Sequence, residues 1–157
     1  MEILNIKENK KYLKEYVELC FDTWGNNSIK KEKYIENKLE KMDSTDKVIS
    51  ILGLINNDIL IGFVSLLKYD GYDRKDLSPW YATMFVKKEY RGNKYSKLLN
   101  DAILKEASRL GYSRIYLKTD LVNYYEKFGA KYLEELNNGE SLYYIELYSK
   151  KSEKIQK

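Results

Sequence analysis

Thr83-Met84-Phe85-Val86, a basic turn from Lys87 to Lys94, a long amphipathic run, a second short apolar run from Arg114 to Thr119, and then Asn123-Tyr124-Tyr125-Glu126-Lys127-Phe128-Gly129-Ala130 follow one another in this 157-residue chain. The order reads as strand, turn, helix, strand, tyrosine-bearing turn. A strand that passes through a basic glycine turn into a helix start is a physical site for a pyrophosphate. The first N–H groups of a helix have no partner in the helix, and the helix dipole adds partial positive charge there. A tyrosine turn one strand later can supply acid chemistry beside such a site.

Working outward, Ile3 to Ile6 reads as a first strand. Leu13, Tyr16, Val17, Cys20 and Trp24 recur at three- and four-residue steps, the spacing of an amphipathic helix. Gly25-Asn26-Asn27 stops it, and Ser28 is placed to cap a second, charged helix to about Lys41 with a thin apolar stripe of Tyr34, Ile35, Leu39 and Met42. Val48 to Ile55 and Ile59 to Lys68 read as strands joined by Asn56-Asn57-Asp58. A polar loop from Asp70 to Asp76 leads through Pro79 into Trp80 to Val86. Tyr95, Leu98, Leu99, Ala102, Ile103, Ala107 and Leu110 form the expected inner face of the long helix, and Gly111 ends it. After Arg114 to Thr119, a short helix over Asn123 to Phe128 and a final antiparallel pair, Lys131 to Leu136 with Leu142 to Tyr148, complete the reading. The helix between Val86 and Arg114 is a crossover, so the strands it joins are expected to be parallel.

Composition narrows the chemistry. The length fits one domain, taken as residues 1–149, with a polar tail over 150–157. No histidine is present and Cys20 is the single cysteine, which excludes a histidine base, a Ser-His-Asp triad, a cysteine-rich zinc site and an intrachain disulfide. No metal is expected. Basic and acidic residues number 28 and 24, too mixed to point to nucleic acid, and no RNP-like motif or recognition helix stands in the chain. Sixteen tyrosines are present, and the ordinary role of a tyrosine is to pack its ring and keep its hydroxyl on a polar partner. The N-terminus lacks a signal-peptide core and no apolar run has the length of a membrane span. A cytoplasmic protein that engages neither membrane nor nucleic acid is the expectation, working as a monomer or a homodimer.

The turn Arg91-Gly92-Asn93-Lys94-Tyr95-Ser96, led by Tyr90, and the run Tyr125-Glu126-Lys127-Phe128-Gly129-Ala130 together resemble the GNAT (Gcn5-related N-acetyltransferase) family. The resemblance implies an α+β fold: a single central mixed, mostly antiparallel sheet flanked by helices, with one parallel crossover pair around the cofactor cleft. It implies acetyl-CoA as co-substrate, held by Arg91, Gly92, Asn93, Lys94, Tyr95 and Ser96 at the phosphates and by the main chain of Met84, Phe85 and Val86 along the pantetheine arm. It implies transfer of acetyl to a primary amine of a small molecule or peptide by direct attack, with Tyr125 as the acid that protonates the departing thiolate and a backbone N–H near Phe85 or Val86 polarising the carbonyl. Lys94 and Ser96 stand where the family has glycine or a small residue, and Ala130 where it has phenylalanine. The turn's own residues, taken without the family, leave an ordinary basic turn open, and a catalytically weak acyl-CoA-binding module of the same fold is the alternative reading. No acid or histidine lies on Trp80-Tyr81-Ala82-Thr83, so candidates for the base are Asp70, Asp73, Asp76, Glu134, Glu135 or water. Trp24, Tyr72, Trp80 and Tyr81 are equally candidates for the acceptor pocket and for the core.

Overall fold

The computed structural model of the chain describes residues 1–25, 28–44, 47–71 and 74–147. Its elements are β1 (Glu2–Asn5), α1 (Lys10–Trp24), α2 (Lys31–Ser44), β2 (Val48–Asn56), β3 (Ile59–Leu67), β4 (Trp80–Val86), α3 (Tyr95–Arg109), β5 (Arg114–Thr119), β6 (Lys131–Glu135) and β7 (Ser141–Glu146), with 3-10 turns over Lys88–Tyr90 and Tyr125–Phe128. They build one seven-stranded sheet in the order β1-β2-β3-β4-β5-β7-β6. β4 and β5 are parallel, and the other neighbouring pairs are antiparallel. This is the mixed, mostly antiparallel sheet with a single crossover that the sequence implies.

Local chemistry explains the joints. Asn57 and Asp58 both have positive φ, the type I′ geometry whose twist matches a two-residue hairpin, and they close β2 onto β3. Asn9 accepts the Tyr12 N–H and starts α1. α3 ends in a Schellman motif: Gly111, at φ +96°, donates to Ser108, and Tyr112 donates to Ala107. α2 begins at Lys31, so Ser28 lies outside its cap position, and the helix runs to Ser44, beyond the expected end at Lys41. The tail over 150–157 lies outside the described residues.

β3 is a continuous apolar run because it is covered on both faces. On one side α3 lays Leu99, Ile103 and Ala107 against Ile61, Val64, Leu66, Tyr81 and Val86. On the other, α1 lays Tyr16, Val17 and Cys20 against Ile51, Leu60 and Phe63. Each fully buried aliphatic side chain here contributes about 1.5–3 kcal/mol. The inner face of α3 differs from the expected one. Leu98 and Leu110 are exposed, and Asn100 is buried instead, its Oδ1 without a hydrogen-bond partner among the described residues. The stripe that meets the sheet is narrower than the apolar run, and it takes in Asn100 because that position adjoins Leu99 and Ile103 on the helix surface.

Candidate active site

β4 does not run straight. Phe63 pairs with Phe85 and Ser65 pairs with Ala82, so Thr83 and Met84 together face the single residue Val64. This is a β-bulge, and Thr83 within it sits at φ +50°. A β-branched residue in the left-handed region costs roughly 1–2 kcal/mol. The only register pair between β4 and β5 among the described residues is Trp80 with Tyr116. Past it the two parallel strands part, and a cleft of about 370 Å³ opens, lined by Met84, Phe85 and Val86 on the strand, by Tyr90, Arg91, Gly92, Lys94, Tyr95 and Ser96 on the turn and helix start, and by Tyr124.

The turn is shaped by backbone more than by side chains. Gly92 has φ +85° with nothing near its missing Cβ, so its glycine serves conformation and not space. Lys94 occupies the cap position of α3 at φ 62°, in the left-handed region that favours glycine. Its side chain makes no cap hydrogen bond, and no acid lies in the first turn of α3. The leading N–H groups and the positive end of the dipole are therefore left without a side-chain cap or a countercharge, which suits a phosphate group. Arg91 Nε donates to the Val86 carbonyl at 2.9 Å, tying the turn back to the end of β4, and its guanidinium lies 5.9 Å from the Phe85 ring. Asn93 is the one predicted cofactor residue that does not line the cleft: its Nδ2 donates to the Tyr90 carbonyl at 3.0 Å and braces the 3-10 turn. Gly62 on β3 lets β4 approach, since a Cβ there would lie 2.9 Å from the Phe85 carbonyl oxygen.

The tyrosine turn is a single 3-10 turn, not the helix over Asn123 to Phe128 that the sequence suggests. Asn123 at φ +56° and Gly129 at φ +90° bracket too few residues for an α-helical turn to propagate. Glu126 accepts the Tyr143 hydroxyl at 2.7 Å and fastens the turn to β7. Tyr125 is half-buried against the core, with its ring 5.9 Å from Tyr81 and 4.8 Å from Tyr124. Burial, with the neighbouring Tyr124 phenol, pushes its pKa above the ordinary phenol value. Burial pushes Tyr81 higher still. Tyr124, not Tyr125, is the member of this pair that lines the cleft. Tyr90 and Tyr124 also line the cleft; both stand inside the sequence motifs, where nothing local distinguishes a lining tyrosine from a packing one.

The acceptor and base candidates separate. Trp80 is fully buried with its Nε1 donating to Leu77, and Tyr81 is almost fully buried, so both belong to the core. Trp24 is 52% exposed at the end of α1, its ring 6.1 Å from the cleft residue Phe85. Tyr72 and Asp73 lie outside the described residues. Asp76 and Glu134 are both engaged by Arg74, whose hydrogen bond holds the Asp76 carboxyl below its ordinary value. Glu135 is exposed. Asp70 is half-buried, and desolvation holds its pKa above the ordinary carboxylate value despite the nearby Lys118 and Lys47. Among the described residues, no group of three or more His, Cys, Asp or Glu side chains could hold a metal, and no helix is long and apolar enough to cross a membrane.

The acetyltransferase (GNAT) family matches residues 11–130. No curated protein matches the chain. Among solved structures, an aminoglycoside 6′-N-acetyltransferase complexed with coenzyme A superposes with a TM-score of 0.71 at 20% identity, over 96% of this chain and 99% of that one. The aminoglycoside 6′-N-acetyltransferase of Enterococcus faecium gives 0.68 at 18% identity, over 96% and 99%. The yncA protein of Salmonella typhimurium, with its cofactor acetyl-CoA, gives 0.68 at 14% identity, over 95% of each chain. At these identities the similarity speaks for the fold.

Proposed function

The chain belongs to the acetyltransferase (GNAT) family, and from that premise we propose that it moves an acetyl group from acetyl-CoA to a primary amine of a small molecule or peptide by direct attack. The observation that carries this reading is the uncapped, acid-free start of α3 at the mouth of a cleft whose wall is the bulged end of β4. Gly92, Lys94, Tyr95 and Ser96 would hold the phosphates, with the Lys94 ammonium adding charge that glycine could not. Arg91 keeps the turn against Val86. Met84, Phe85 and Val86 would offer main-chain groups to the pantetheine arm, because β4 has parted from β5 there and β5 no longer competes for them.

Acetyl-CoA supplies the acetyl group already activated as a thioester. The rest falls to the chain. A main-chain N–H near Phe85 or Val86 polarises the carbonyl. A C–N bond forms to the amine, whose proton passes to water, and the C–S bond breaks. Tyr125 gives its proton to the departing thiolate. Its raised pKa keeps that proton on the phenol at neutral pH. Trp24, exposed beside Phe85, offers an indole face to the side of the acceptor that does not react.

A thermal-shift titration with acetyl-CoA, CoA and ATP tests the reading. Saturation to about 100 Kd adds ~2.7 kcal/mol, or roughly 5–10 °C for a chain of this size. A shift with both CoA species and little with ATP is expected. No shift with any of them overturns it.

A further inference from the structure

Three hydroxyls from three elements meet beneath the bulge. Thr83 Oγ1 on β4 donates to Ser65 Oγ on β3 at 2.6 Å, and Ser65 Oγ lies 3.5 Å from the Tyr16 hydroxyl on α1. Ser65 is fully buried and Tyr16 nearly so. Ser65 is the one polar side chain in the run Ile59–Leu67. A buried hydroxyl in the middle of an apolar strand costs free energy unless it is bonded, so its partners matter. The partner that it takes is the residue whose backbone is strained: Thr83 occupies a bulge position suited to glycine, and φ +50° is kept only if the surroundings over-determine it.

We infer that Ser65 is a positioning residue: the Tyr16–Ser65–Thr83 hydroxyl chain pins the β4 bulge and thereby turns the main chain of Met84 to Val86 toward the cleft. The register difference on the two sides of the bulge fixes this dependence. Without the bulge, Val86 and Phe85 would slip by one residue against Gly62 and Phe63, and every group beyond Thr83 would change face. The clamp bears on the strand more than on the phosphate turn, since that turn takes its shape from its own left-handed residues Gly92 and Lys94 and is tied to the strand through the Arg91 bond to Val86. Its consequence for ligands rests on the acetyl-CoA reading above.

Calorimetric titration of wild type, Ser65→Ala and the double variant Ser65→Ala/Thr83→Gly with acetyl-CoA and with 3′,5′-ADP separates the possibilities. The nucleotide reaches only the turn, whereas acetyl-CoA also needs the strand. Ser65→Ala is expected to weaken acetyl-CoA about tenfold, the scale of one lost main-chain hydrogen bond, and to leave 3′,5′-ADP unchanged. Thr83→Gly is expected to restore acetyl-CoA binding in the Ser65→Ala background, because glycine takes positive φ without help. A general loss of stability would weaken 3′,5′-ADP along with acetyl-CoA, so the nucleotide separates it from the clamp. Equal weakening of both ligands, unchanged acetyl-CoA binding, or no rescue overturns the clamp. If wild type binds neither ligand, the acetyl-CoA reading falls, and the amide NMR signals of Met84 to Val86 in the free proteins decide the clamp alone. They must move in Ser65→Ala and return in the double variant, and signals that stay put in Ser65→Ala overturn it.

Discussion

β4 and β5 run parallel, and each ends in a turn that faces the same cleft, but the two turns are built differently. After β4 the turn presents main chain: a left-handed Gly92, a left-handed Lys94 and the bare start of α3. After β5 it presents side chains: Tyr124 precedes and Tyr125 begins a short 3-10 turn anchored through Glu126 to Tyr143. A backbone site tolerates changes of side chain that keep its dihedrals. A side-chain site depends on one atom at one place. The contrast explains how Lys94 can stand at a glycine position while the shape of the turn persists.

The sharpest way to break the contrast is at the phenol. Tyr125→Phe is expected to cut turnover about 100-fold, within the range for a positioned general acid, while acetyl-CoA affinity stays within about twofold, because a hydroxyl that meets only the departing sulfur adds little to ground-state binding. Steady-state kinetics with a binding titration reads both. Unchanged turnover would take Tyr125 out of the acid role, and Tyr124→Phe then becomes the informative variant because Tyr124 lines the cleft.

Next comes the backbone side. Gly62→Ala would bring a Cβ to 2.9 Å from the Phe85 carbonyl and 3.3 Å from Leu99 Cδ1. Backbone must shift to admit it, so about 1–3 kcal/mol of stability is expected to go, together with acetyl-CoA affinity, since the displaced strand is the cleft wall. Chemical denaturation and calorimetry measure the two losses. Stability that falls while affinity holds would mean that the strand main chain does not contact the ligand.

A smaller effect is expected at Lys94→Gly. Relief of the left-handed strain contributes about 1 kcal/mol, offset in part by the greater freedom of glycine in the unfolded chain. Acetyl-CoA binding is expected to hold or improve. A large loss would show instead that the Lys94 ammonium anchors a phosphate, making this turn a side-chain site like its counterpart.

The smallest effect is none. The folded-state pKa of Tyr125 lies above its ordinary value, so the phenol keeps its proton up to and past pH ~10. Turnover is not expected to fall between pH 8 and 9.5 on its account. A descending limb that begins in that window and disappears in Tyr125→Phe would contradict the shift. The same sign applies to stability. Buried Tyr16 and Tyr81 and half-buried Tyr125 bind protons more tightly folded than unfolded, so they leave stability intact below pH ~10 and erode it above, through their raised folded values.

Much of the fold was legible because it is periodic. The three- and four-residue spacing along α1, the apolar runs of β2 and β3, the Asn57-Asp58 turn and the Gly111 stop are local signals, and the structure reads as they do. β7, entering between β5 and β6, was not legible, because strand order is chosen by which faces bury together and not by any one segment. Nor was the split among the aromatic residues. Trp24 and Trp80 are the same residue type, and only packing makes one half-exposed and the other core.

By itself the sequence determined the crossover, the basic turn with its glycine and the tyrosine motif, since these depend on dihedral preferences and spacing within a few residues. The tertiary structure alone decided that β4 bulges at Thr83, that Ser65 and Tyr16 stand beneath that bulge, and that Tyr124 reaches the cleft while Tyr125 leans on Tyr81. The physical reason is distance along the chain. Tyr16, Ser65 and Thr83 lie on three separate elements, and a hydrogen bond between such residues has no signature until the sheet and helix that carry them have packed.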